Sequence, residues 1–186
     1  SDNVIISQSL FYENFGSFGG AIYIKESNPE ISDSYFEKNG FKDNYIYANS
    51  GGALYLKYSN AVMHNLKFVN NKSFNYGGAI FMSYSAPVMH NILLVKNSTL
   101  GDFGGAIYLN HESNPDFINL TIADNIADSS GGALFVTDNS NPSIINSIMY
   151  NNTKPEIYFD GVTPTVTYSL IDSASSEAIF GIGCLD

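Results

Sequence analysis

The 186-residue chain has no arginine, no tryptophan and a single cysteine, Cys184. Each shortage excludes something. Eight lysines stand against eighteen Asp and Glu, a net charge of −10. With no guanidinium to grip phosphate, such a chain repels nucleic-acid backbones and anionic membrane faces. One cysteine cannot close an intramolecular disulfide, so the fold does not depend on cross-links and redox chemistry says nothing about compartment. No apolar run reaches the ~20 residues of a spanning helix, which argues against direct membrane insertion. Nor does any stretch carry a 3.6-residue apolar period, so helices are not expected.

What is abundant is glycine and aromatic residues: 16 Gly, 13 Tyr and 13 Phe. The glycines are ordered. Gly-Gly-Ala recurs at Gly19, Gly51, Gly77, Gly104 and Gly131, spaced 32, 26, 27 and 27 residues apart. Each copy continues as Ile or Leu, an aromatic, and another apolar residue. A turn block follows, such as Ser27-Asn28-Pro29 or Ser140-Asn141-Pro142. Next comes a polar column, Asp33, Asn65, Asn91, Asn119 and Asn146, and then an apolar-x-x-Asn block. That block is headed by Phe11, Phe36, Phe68, Leu94, Ile122 and Met149 and ends at Asn14, Asn39, Asn71, Asn97, Asn125 and Asn152.

A repeat of this length, with period-two apolar alternation and small turn residues, predicts a stacked solenoid. Three short strands per coil make it an all-β, right-handed parallel β-helix of about six to seven coils, with residues 1–186 as one domain. Ile22 and Ile24, Ile31, Met63, Met89, Phe117 and Ile144 should face the interior. Both Asn columns should form ladders of stacked amides, with Asp33 in an inward column. At the far end Lys154-Pro155-Glu156 replaces Gly-Gly-Ala and Tyr168 replaces the ladder Asn, so the motif decays while the register holds.

The Gly-Gly-Ala-[Ile/Leu] and Phe-x-x-Asn pairing, over residues 4 to about 171, resembles the passenger repeats of polymorphic outer-membrane proteins. It is similar also to those of related bacterial surface proteins with right-handed parallel β-helices. The tail Gly181-Ile182-Gly183-Cys184-Leu185-Asp186 resembles a segment that continues such domains, which leads us to expect a piece of a longer protein. The resemblance implies a secreted or surface-displayed adhesin, located outside the cell or on a bacterial surface.

β-Helices also include polysaccharide lyases, hydrolases and epimerases, so catalysis has to be weighed. Without arginine the usual lyase constellation is missing, leaving only lysine. Hydrolysis needs converging carboxylates. Here Asp43 and Asp102 fall in loops. Glu30 and Asp116 share a column but lie three coils, roughly 14 Å, apart. No catalytic residue is assigned. His64 and His90 occupy one column on adjacent coils and are weak metal candidates; His111 has no evident partner. No cofactor is indicated, and calcium would be adventitious, since neither a β-roll repeat nor an EF-hand loop is present.

The best lead is an outward column of rings, Tyr23, Tyr55, Phe81, Tyr108, Phe135 and Tyr158. It could bind a host or environmental glycan or protein, or the rings could simply stack on one another. A second candidate is the one long connection, Gly40 to Ser50, carrying Phe41, Tyr45 and Tyr47, because solenoid insertions project from one face. The expected function is an adhesin or interaction module. A carbohydrate-active enzyme or its inactive relative, and a structural spacer, are the alternatives. Open β-edges also make end-to-end self-association a hazard.

Overall fold

In a computed structural model the chain is a right-handed parallel β-solenoid of about six turns. The structure describes residues 4–42, 45–153, 155–161, 164–172 and 179–184, with Ile179 and Phe180 as backbone only. Asp43, Lys154, Leu185 and Asp186, singled out from the sequence, lie outside the described residues.

One six-stranded sheet stacks Ile22–Lys25, Leu54–Lys57, Ile80–Ser83, Ile107–Asn110, Leu134–Val136 and Ile157–Phe159, all parallel and in register. A twelve-stranded sheet forms the rest of the wall. In the middle coils the expected second and third strands run together as Val62–Val69, Val88–Val95 and Asp116–Ala123. Each is bent at its Asn, which the ladder of paired residues skips. Asn65, Asn91 and Asn119 sit there at φ 56, 56 and 58°, the left-handed region that Asn tolerates best after Gly.

Alternation puts one apolar set inside. Ile31, Met63, Met89, Phe117 and Ile144 are fully buried in one column. Phe11, Phe36 and Phe68 stack at 4.6 Å in another. Each fully buried side chain of this size contributes about 1.5–3 kcal/mol. The Gly pairs allow the coils to close. Gly51 has φ +64°, and a Cβ on Gly52 would lie 2.1 Å from the carbonyl oxygen of Gly78 in the next coil, so neither position accepts a side chain.

Two asparagine ladders run the length of the solenoid, in opposite directions. In the buried one, each Nδ2 from Asn14 to Asn125 donates to the Oδ1 of the next coil's Asn at 2.8–3.0 Å. The Asn backbone N–H donates to the same oxygen. From Asn39 onward Nδ2 also donates to a carbonyl of the preceding coil, for example Asn97 to Phe68 at 3.0 Å. This ladder ends where Asn152 donates to Glu156 Oε1.

The other column is exposed, correcting the expectation that Asp33 points inward. The left-handed bend turns these side chains out. There Asn146, Asn119, Asn91 and Asn65 donate back toward the N-terminus, ending on Asp33 Oδ1 at 2.9 Å. Each ladder therefore ends on a carboxylate at the end that requires an acceptor.

Replacing Asn97 by Ala strips Asn71 of its acceptor inside the core. We expect a loss of about 1–3 kcal/mol in chemical denaturation, against less than about 1 kcal/mol for an exposed surface substitution such as Lys67→Ala.

Burial raises the Glu156 carboxyl above its ordinary 4.5, against hydrogen bonds from Asn152 and Asp172 that lower it. Protonation of Glu156 therefore favours the folded chain over the unfolded one. That stability is complete below pH 4.5 and is lost as pH rises through the raised folded value. Denaturation midpoints measured from pH 4.5 upward should carry this fall, and Glu156→Gln should remove it from the profile.

Candidate functional site

The six rings of the outward column share one register position of the six-stranded sheet and point away from the core. Five of them, from Tyr55 to Tyr158, form a second apolar cluster on the outside of the wall, and Tyr23 at the N-terminal end is half exposed. Tyr55–Phe81, Phe81–Tyr108, Tyr108–Phe135 and Phe135–Tyr158 stack with centroids 4.5–5.4 Å apart and planes within 21°. Tyr23 meets Tyr55 edge-on at 5.1 Å.

This column is not an open platform. Phe81, Tyr108 and Phe135 are 5, 8 and 6% exposed. Their cover comes from residues immediately before the Gly-Gly pairs. Tyr76 lies on Phe81 and Tyr108, Phe103 on Phe135, and Phe18 stands edge-on to Tyr55. Ser50 and Ser130 hold the same bridging column in the other coils. Among the described residues the long connection supplies none of these rings.

The cover has a physical cause. Stacked rings turn their faces to one another, and a third ring over the seam removes their edges from water. Along the stacked middle of the column the faces a sugar would need are already occupied. The covering residues left a signal in the sequence, an aromatic before three of the five Gly-Gly pairs, which the period-two reading of the strands passed over. Burial, with Tyr76 next in size, pushes the Tyr108 phenol well up from its ordinary value.

The long connection is built as a hairpin, Phe41–Lys42 pairing antiparallel with Tyr45–Ile46. Its three candidate rings do not gather on each other; Phe41 and Tyr47 are braced by the neighbouring coils. Tyr47 lies 5.0 Å from Phe15, Lys42 Nζ sits 5.0 Å over the Phe15 ring, and Lys72 Nζ 4.7 Å over Phe41. A cleft of about 330 Å³ opens between Glu13, Phe15, Phe41 and Lys42. Tyr45, the register partner of Lys42, is 72% exposed. Phe74, on the next coil, is also exposed, and its N–H donates to the Ala48 carbonyl at 2.7 Å. Phe15 and Phe74 were missed from sequence, since each sits in a connection of ordinary length.

A family model described as a right handed beta helix region matches residues 90–184, just over half of the chain. The chain belongs to the right-handed β-helix family. No curated protein and no solved structure matches it. Membership agrees with the fold of the wall. It assigns no activity, so the β-helix must be read from its own surface.

That surface keeps the remaining polar candidates apart. Glu30 and Asp116 fall in one column, separated by Val62 and Val88 on the coils between them. His64 and His90 stack at 5.1 Å with planes 10° apart, and His64 Nε2 lies 3.3 Å from Glu30 Oε1. Parallel rings send their nitrogen lone pairs side by side rather than toward one point. Among the described residues no three His, Cys, Asp or Glu side chains gather to hold a metal ion. His111, without an evident partner in the sequence, lies 3.7 Å from Asp138 and packs on Tyr84 at 4.9 Å.

The cover over the ring column is directly testable. Tyr76→Ala opens Phe81 and Tyr108 to water, so the Tyr108 phenol should ionise at lower pH, nearer the ordinary tyrosine value of about 10. Phenolate absorbance followed through alkaline titration reads that shift.

Proposed function

We propose that this β-helix is a non-catalytic interaction module of a secreted or bacterial-surface protein, adhesin-like, which binds a host or environmental protein through the aromatic ridge at its hairpin. The β-helix fold is compatible with adhesins and with carbohydrate-active enzymes alike. What carries the reading toward binding is where the exposed rings lie. Phe15, Tyr45 and Tyr47 are exposed at or against the one long insertion, and Phe15 lines its cleft, whereas the middle rings of the regular column, Phe81, Tyr108 and Phe135, are covered. Aromatic anchors with a few flanking charges, here Lys42 and Glu13, are the composition of interface hot spots. The surface setting rests on the resemblance of the Gly-Gly-Ala and Phe-x-x-Asn repeats to bacterial passenger repeats.

The covered stack favours a second reading, a spacer. A continuous outer row of rings joins coil to coil and resists bending of the rod without any ligand.

The test is to bind the chain to arrayed extracellular proteins, with arrayed glycans alongside, and to repeat it with Tyr45→Ala/Tyr47→Ala. Saturable protein binding, weakened at least about tenfold in the variant at unchanged melting temperature, is expected. Saturation on glycans alone would redirect the ridge to sugar. No saturable binding by either chain would leave the spacer.

A further inference from the structure

A second concave site lies away from the ridge, at the bend between the second and third wall segments of the first two complete coils. The left-handed backbone of Asp33 (φ 50°) and Asn65 (φ 56°) turns both side chains outward. Two positions past each bend residue, on the outer face of the wall, Tyr35 and Lys67 are register partners on adjacent coils. Together with Ser34 these four side chains line a groove of about 350 Å³, within the range of small-ligand clefts.

We propose that this groove is a saccharide subsite that takes one neutral pyranose ring. Its chemistry is complementary to a hydroxylated ring with an apolar face. Asp33 supplies a carboxylate acceptor. Its Oδ1 already receives Asn65 Nδ2 at 2.9 Å, while Oδ2 has no hydrogen-bond partner among the described residues. Lys67 supplies an ammonium donor that forms no ion pair among the described residues and is exposed. Tyr35 supplies an aromatic face. Unlike the rings of the outward column, it is stacked by no other ring and carries no cation over it among the described residues. An ammonium and a carboxylate flanking one ring pair with vicinal hydroxyls, as donor and acceptor.

The charge decides against an anionic sugar. The groove holds one lysine against Asp33, on a chain of net charge −10, so a carboxylated or sulfated ligand meets net repulsion. The site is also local. Along the same two columns the later coils offer Asn91 with Leu93, Asn119 with Thr121 and Asn146 with Ile148, which bring neither a ring nor a charge. A single ring rather than a long polymer track fits this pattern.

The subsite does not rest on the ridge reading, and the experiment keeps the two apart. Methyl glycosides of glucose, galactose and mannose are titrated separately, to high millimolar concentration, into the ¹⁵N-labelled chain. Saturable shifts are expected for at least one of them, confined to the amides of residues 33–35 and 65–67 and the Asn65 side chain. Tyr35→Ala and Lys67→Ala should each weaken the affinity about tenfold, and Tyr45→Ala/Tyr47→Ala should leave it unchanged. Lys67 is exposed, so its variant tests the site even if Tyr35→Ala destabilises the coil. No saturation with any of the three glycosides overturns the proposal, as does affinity undiminished in Lys67→Ala.

Discussion

A buried carboxamide that cannot reach water must find partners for two N–H groups and a carbonyl oxygen, and stacking coils at strand spacing supplies all of them at once. From Asn39 to Asn152, each inner Asn ties the preceding coil's carbonyl to the following coil's acceptor. The arrangement works only if every coil keeps the same register, because a shift of one residue would leave a row of unpaired amides in the core. Register in turn aligns the apolar columns, brings Phe36 over Phe68, and places each Gly-Gly corner against its neighbour. The directionality of the amides has a further consequence. A row of donors needs a final acceptor, and Glu156 and Asp33 sit at the two ends where one is required.

The same register that builds the core also stacks whatever the sequence places outside. Rings at one position of the six-stranded sheet are forced to within about 5 Å of each other, and they respond by packing face to face. Once a ring from the preceding turn covers the seam, the column becomes a second core, external to the first. Regularity therefore works against recognition on this wall. The more uniform the column, the more completely its members satisfy one another.

Surface chemistry left open to a ligand is found where the repeat departs from uniformity. The hairpin is the long insertion, and its rings are held apart by lysine and by Phe15 rather than stacked into a column. The groove at Asp33 lies in the coil where a carboxylate replaces the ladder amide and where Tyr35 and Lys67 stand in a column later occupied by Leu93, Thr121 and Ile148. Both carry polar groups beside a ring, the combination from which specificity is made.

Much of the architecture was legible in the residues themselves. Gly51-Gly52 and the four matching pairs marked the corners, period-two alternation sorted Met63 from His64, and the paired Asn columns announced ladders. All of these are local signals repeated at fixed spacing. Which ladder is buried was not legible, because Asn97 and Asn91 are the same residue type, and only the handedness of the bend turns one in and the other out. Nor was the fate of the ring column, since Tyr76 and Tyr108 come from different coils and sequence carries no measure of how a connection folds back over its neighbour. Phe41, Tyr45 and Tyr47 could be marked as an insertion, but their association with Phe15 needed the coils to be stacked. By itself the sequence determined the coil, its register and its inward apolar residues, because those follow from periodicity. Only the tertiary structure decided what is covered and what stays open, because exposure depends on neighbours one coil away in space and about 27 residues away in the chain.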